Sequence, residues 1–152
     1  MSRRMRSALA IGFALVAVPL LAAPADTVRG RIAGLRELGA AFKNVNDALR
    51  GSDPQIIMIR QSAREIKNAA RDQYQWFPAG TGNNPAWKTA ARPEIWNKAS
   101  EFRAAQDNFA SAAAAFQRAA MGGDAAAMRT SARALGATCK SCHDRFRAEE
   151  KT

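Results

Sequence analysis

Apolar residues recur along this chain with a helical period. From Asp26 to Arg50 they stand at Val28, Ile32, Leu35, Phe42, Val45 and Leu49, in steps of three, four and seven that mark one face of a helix. Gly51 ends that stretch, and Ser52-Asp53-Pro54 restarts the chain with an N-cap acceptor and a proline for the first helical turn. The second stretch carries Ile56, Ile59, Ala63, Ile66, Ala70 and Phe77 and stops at Pro78. A third opens at Pro93 with Ile95, Ala99, Phe102, Phe109, Ala113, Phe116 and Ala120, closed by Gly122-Gly123. Asp124 is the expected N-cap of a fourth, which carries Met128, Leu135, Cys139, Cys142 and Phe146 on one side. No segment alternates with period two. Short turns at 51–53 and 122–124 force antiparallel neighbours, so the pattern predicts an all-α, antiparallel four-helix bundle over residues 26–152. The one long connection, Pro78 to Arg92, exceeds the usual loop length, and ordered loops of that length often have a task.

The first 25 residues read as an export signal instead of a helix of the fold. Arg3, Arg4 and Arg6 form a basic start, an apolar run follows from about Ala8 to Leu21, and Ala23-Pro24-Ala25 puts small residues where a signal peptidase reads. A membrane anchor is the competing reading, but a core of about 14 residues interrupted by Pro19 falls short of the roughly 20 that span a bilayer. Cleavage after Ala25 would leave 127 of the 152 residues, and loss of three arginines would lower the net charge from +10 to +7. Basic character in a chain expected to be exported to the periplasm does not point to nucleic acid. The basic residues are also scattered, as on a solvated surface.

Two cysteines and one histidine are all the chain has, and they stand together as Cys139-Lys140-Ser141-Cys142-His143. Residues at i and i+3 share a helix face, so both sulfurs can reach the two vinyl groups of one porphyrin, while His143 reaches the iron. The C-x-x-C-H pattern reads as covalent attachment of one haem c. A thioredoxin-like pair needs a βαβ setting that the pattern lacks. Zinc needs about four ligands, more than these three residues supply. A disulfide across four residues would staple nothing. Attachment of haem in this way is an extracytoplasmic chemistry, in keeping with the export signal.

His143 is therefore the candidate metal ligand, and the opposite side of the iron decides the chemistry. No second histidine exists, so the alternative is methionine: Met58, Met121 or Met128. Met128 shares the helix of His143 and cannot reach over the far face. Met58 and Met121 lie near helix ends, and the first helix has no methionine after residue 25. The expected site is five-coordinate with an open, apolar distal face; a six-coordinate electron carrier using Met58 is the alternative. A thiol-redox or metal-binding bundle without haem is a third reading.

The motif's place on the last helix, nine residues from the C-terminus, resembles the class II c-type cytochromes, specifically the cytochrome c′ family. The resemblance covers the chain from residue 26 onward. It extends to Arg31, Leu35, Leu38, Phe42, Val45, Leu49 and Gly51, to Trp76-Phe77 with Gly80-Thr81-Gly82, to Ala91 through Trp96, and to Gly136-Ala137-Thr138 before Cys139. It implies that Leu35 lies over the distal iron face and that Arg31 pairs with a haem propionate. It also implies that Phe77 lines the distal pocket and that Arg147 lies near the proximal face. Leu35 and Phe77 also suit any bundle core, and Arg31 and Arg147 suit a plain surface. Trp87, in the less typical Asn83-Asn84-Pro85-Ala86 stretch, fits a seal at the haem edge or a subunit contact. The resemblance further implies binding of nitric oxide and carbon monoxide, with some electron transfer to an unidentified redox partner. It implies a homodimer built through the first two helices. No catalytic constellation stands beside the motif, and none of these expectations is that of an enzyme.

Overall fold

The structure, a computed structural model, describes residues 23–149. Of the 25 residues expected to form an export signal, 1–22 lie outside that range. Among the described residues the long elements are α1 (Pro24–Ala48), α2 (Ile56–Asp72), α4 (Ala99–Gly122) and α5 (Ala125–Phe146), with a single turn α3 (Glu94–Asn97) between α2 and α4. There are no strands among them, only two isolated bridges. No helix among them is long and apolar enough to cross a membrane.

The expected faces are the buried ones. Val45, Ile59, Ala63, Ile66, Ala113, Phe116, Met128 and Leu135 are inaccessible and join one core cluster. The same cluster also holds Ala41, Ala48, Ala70, Ala120 and Ala132, small side chains that let the helix axes approach closely. At the turn between α4 and α5, Gly123 takes φ +81° and closes α4, and the Asp124 carboxylate accepts from the Ala127 amide at 2.6 Å. Both devices match the sequence expectation.

Three expected boundaries move. α2 starts at Ile56, with neither Ser52 nor Asp53 capping it. It ends at Asp72, where a 3₁₀ turn, Gln73–Gln75, takes over, so Phe77 lies beyond the helix. The reason is a paired contact with α4: the amides of Gln73 and Gln106 each donate to the other's backbone carbonyl. The third stretch is broken at Lys98, whose φ −124° and ψ 49° leave the helical region. That break lets Trp96 turn back onto the loop, donating to the carbonyls of Phe77 and Pro78.

α1 packs along α2, α2 along α4, and α4 along α5, but α1 and α5 do not pack along their lengths. Their contacts run from the middle of α5 toward its start and the end of α1. Arg129 of α5 donates to the carbonyls of Leu49 and Gly51, and a Cβ on Gly136 would lie 3.0 Å from the Phe42 ring. The bundle is therefore open along one seam, toward the start of α1 and the end of α5. A second, smaller core of Ile95, Phe102 and Phe146 lies at that open end.

Candidate functional site

The sequence-predicted residues stand on the two helices that flank the seam and on the loop beside it. α1 and α5 are antiparallel, and Phe42 opposes Gly136. Counting seven residues along each helix away from that contact pairs Leu35 with His143, and four more pair Arg31 with Arg147. One side of the gap thus presents Leu35 and the other the C-x-x-C-H motif. Leu35 is 39% exposed, an unusual state for a leucine between two cores, and it forms an apolar wall with Leu38 and Phe42 partly buried beside it.

On the facing helix, Cys139 packs against the larger core and Cys142 against the smaller one. Both thiols are free and half-buried. Burial raises both thiol pKa values, and with the neighbouring Cys139 it pushes Cys142 up to about 11. Neutral thiols of this kind are poor redox or thiolate-metal groups, which counts against the reading without haem. His143 is exposed, and partial burial of its ring together with the Arg147 charge lowers its pKa, against a smaller opposing effect of Asp144. The imidazole is thereby biased to the neutral form that binds a metal. Arg147, the C-cap of α5, borders the same open cleft as His143, Arg92 and Asp144. Among the described residues no cluster of three metal-ligating side chains occurs. An apolar gap with two unpaired thiols on one helix face and an accessible neutral imidazole beside them fits a porphyrin and its iron.

Phe77 belongs to an edge-to-face chain with Phe102 and Phe146, at centroid separations of 4.9 and 5.1 Å. Arg31 is only 2% exposed, and its guanidinium lies 4.8 Å over the Phe77 ring. It donates to the Trp76 carbonyl, to the hydroxyl and carbonyl of Thr81, and to the Thr89 hydroxyl, at 2.9 to 3.3 Å. All four acceptors are neutral, and burial lowers its pKa. The plain-surface reading of Arg31 is therefore overturned. Trp87 is tied into its own loop, donating to the Gly82 carbonyl at 2.7 Å. The sequence reading missed Thr81 and Thr89 as Arg31's partners; two threonines in an ordered long loop carry too weak a signal to find.

The methionines lie elsewhere. Met128 is fully buried in the core. Met58 and Met121 are exposed at the end of the bundle where Arg60 caps the Ala120 and Met121 carbonyls, beside the α4–α5 turn. From Asp124 in that turn to His143 is 19 residues of helix, about 28 Å at 1.5 Å per residue. The alternative with Met58 as a sixth ligand is not supported: Met58 sits at the other end of the bundle from His143.

The family model for cytochrome c′ matches residues 26–147, nearly all of the described chain. This chain belongs to the cytochrome c′ family. A cytochrome c′ from Pararhodospirillum photometricum is 35% identical over 126 residues, covering 83% of this chain and 99% of the relative. A cytochrome c-554 from Cereibacter sphaeroides is 32% identical, over 94% of this chain and 97% of its own. Among solved structures, cytochrome c′ from Thermochromatium tepidum superposes with a TM-score of 0.79 at 26% identity, covering 84% and 98% of the two chains. A nitric oxide complex of a leucine-to-alanine mutant of cytochrome c prime from Alcaligenes xylosoxidans superposes with a TM-score of 0.77 at 27% identity, covering 86% and 99%. The cofactor of this family member is haem c, bound through Cys139 and Cys142.

Proposed function

We propose that this protein is a periplasmic cytochrome c′ whose haem iron is five-coordinate and high-spin, ligated by His143, and that it binds nitric oxide and carbon monoxide without catalysing a reaction of them. The observation that carries the proposal is the open seam, across which the helix register sets Leu35 level with His143, while every methionine of the described chain lies in the core or at the far end. The haem supplies an iron site for a small uncharged gas. Around it, this chain's residues do the rest. Cys139 and Cys142 tether the ring between the two cores. Leu35 covers the distal side, excludes water and must be displaced by an entering gas. Phe77 closes the distal pocket, and Arg147 keeps positive charge beside His143. The buried positive charge of Arg31, its guanidinium bonded to the loop, favours a propionate at the nearby haem edge through its field.

Nitric oxide binding by a solved neighbour supports the gas reading. Another neighbour, a cytochrome c′ with ligand-controlled dimer dissociation, supports a homodimer. Export is supported by the basic and apolar start of the chain and by a family match that begins at Asp26. Electron transfer remains a secondary role in this reading. The test is absorption and EPR spectroscopy of the purified holoprotein, ferric and then dithionite-reduced, with and without nitric oxide. A high-spin spectrum that changes on exposure to the gas is expected. A low-spin spectrum with a methionine-to-iron charge-transfer band would overturn the proposal and make the protein an electron carrier.

A further inference from the structure

The long loop between α2 and α3 spans the open seam. On one side it is held to α1: Arg31 donates to Trp76, Thr81 and Thr89, and Thr81 is itself only 3% exposed. On the other side it is stitched to the chain just after α5. The Arg92 amide donates to the Phe146 carbonyl at 3.0 Å, the Ala148 amide donates to the Ala90 carbonyl at 2.8 Å, and Ala91 and Arg147 form an antiparallel bridge. Within the loop, the Thr89 hydroxyl accepts from both Arg31 and the Ala91 amide. Thr89 therefore joins the two anchorages directly. Each anchorage falls one helical turn from a wall of the site: Arg31 lies four residues before Leu35, and Arg147 lies four residues after His143.

Helices α1 and α5 pack little on one another, so direct links between their facing ends add to what the packing through α2 and α4 and the tethered haem impose. A guanidinium fork bonded to two threonines and a β-bridge are rigid, directional links. A hydrogen bond involving a charged group is also among the stronger ones. We infer that residues 76–92 form a strap that sets the distance between the Leu35 and His143 walls, with Thr89, acting through Arg31, a positioning residue for gas entry.

The part concerning gas entry rests on the proposed gas binding; the strap itself does not. The experiment compares wild type, Thr89→Val and Thr89→Ser as holoproteins. Valine keeps the shape of threonine and removes the acceptor, and serine keeps the acceptor. Amide hydrogen exchange is read across three segments: the loop 78–92, the start of α1 and the last turn of α5. In Thr89→Val, exchange should rise about tenfold in all three, the effect of losing a hydrogen bond to a charged group. Carbon monoxide association should quicken severalfold, and Thr89→Ser should restore both. A rise confined to 78–92 would overturn the strap and leave the loop a simple cover. A rise in all three segments with carbon monoxide association unchanged would overturn the positioning role of Thr89. If wild type takes up neither carbon monoxide nor nitric oxide, the gas reading fails and takes the positioning role with it, and the exchange pattern alone decides the strap. Thr81→Val serves as a second variant should Thr89→Val fail to fold, with the same outcomes.

Discussion

At the scale of single residues, Leu35 is where packing and chemistry diverge. The helix register sets Leu35 level with His143 across the seam, and under the proposed function it is a gate that packs on the haem instead of on the core. Displacing a branched side chain of this size from apolar contact costs about 1.5–3 kcal/mol, so Leu35→Ala should speed carbon monoxide association by roughly ten- to a hundredfold. Stopped-flow mixing with the reduced protein measures this, and an unchanged rate would remove Leu35 from the role. Tyr74, the chain's single tyrosine, offers a separate check. Its hydroxyl donates to Asp107 at 2.7 Å, and burial first, then that hydrogen bond, raises its pKa above the usual value of about 10. The folded state thus keeps the proton to higher pH than the unfolded one. The stability this contributes is complete below the unfolded value and is lost as pH rises through the folded one. A phenolate absorbance titration should show the raised midpoint, and Asp107→Asn should bring it back toward the ordinary value.

At the scale of elements, the helices were legible in the sequence because their buried faces follow one period over many turns. The last turn of α2 was not, because the Gln73–Gln106 pair that ends it depends on a residue 33 positions away. The break at Lys98 was hidden for the same reason, since it serves the contact of Trp96 with Phe77 and Pro78. In the site, the C-x-x-C-H motif was legible because its chemistry is local, whereas Arg31's partners were not, because Thr81 and Thr89 reach it only through the fold. The contact between α1 and the start of the loop gives a direct test of that dependence. A Cβ on Gly34 would lie 2.8 Å from the Trp76 ring, closer than real contacts allow. Gly34→Ala should therefore destabilise the protein by about 1–3 kcal/mol, even though alanine is the better helix former. Denaturant unfolding of the holoprotein reads the change, and a stabilised variant would show that Trp76 moves aside freely.

At the scale of the whole molecule, two copies are expected to associate. Sedimentation of the holoprotein should give twice the mass of one chain, and a single-chain mass at micromolar concentration would overturn the dimer. The open seam has a further consequence, for the order in which the chain folds. α1 with α2 and α4 with α5 are joined by short turns, so each pair forms from contacts between near neighbours in sequence. Zipping α1 to α5 would instead require residues such as Leu35 and His143, 108 positions apart, to find one another, the kind of remote pairing that slows a search and carries the largest loop-closure entropy. In this protein most of that seam is not made of polypeptide contacts at all. The two cysteines fix its occupant to α5 by covalent bonds, so the slowest encounter of an ordinary bundle becomes the docking of α1 onto a surface already in place.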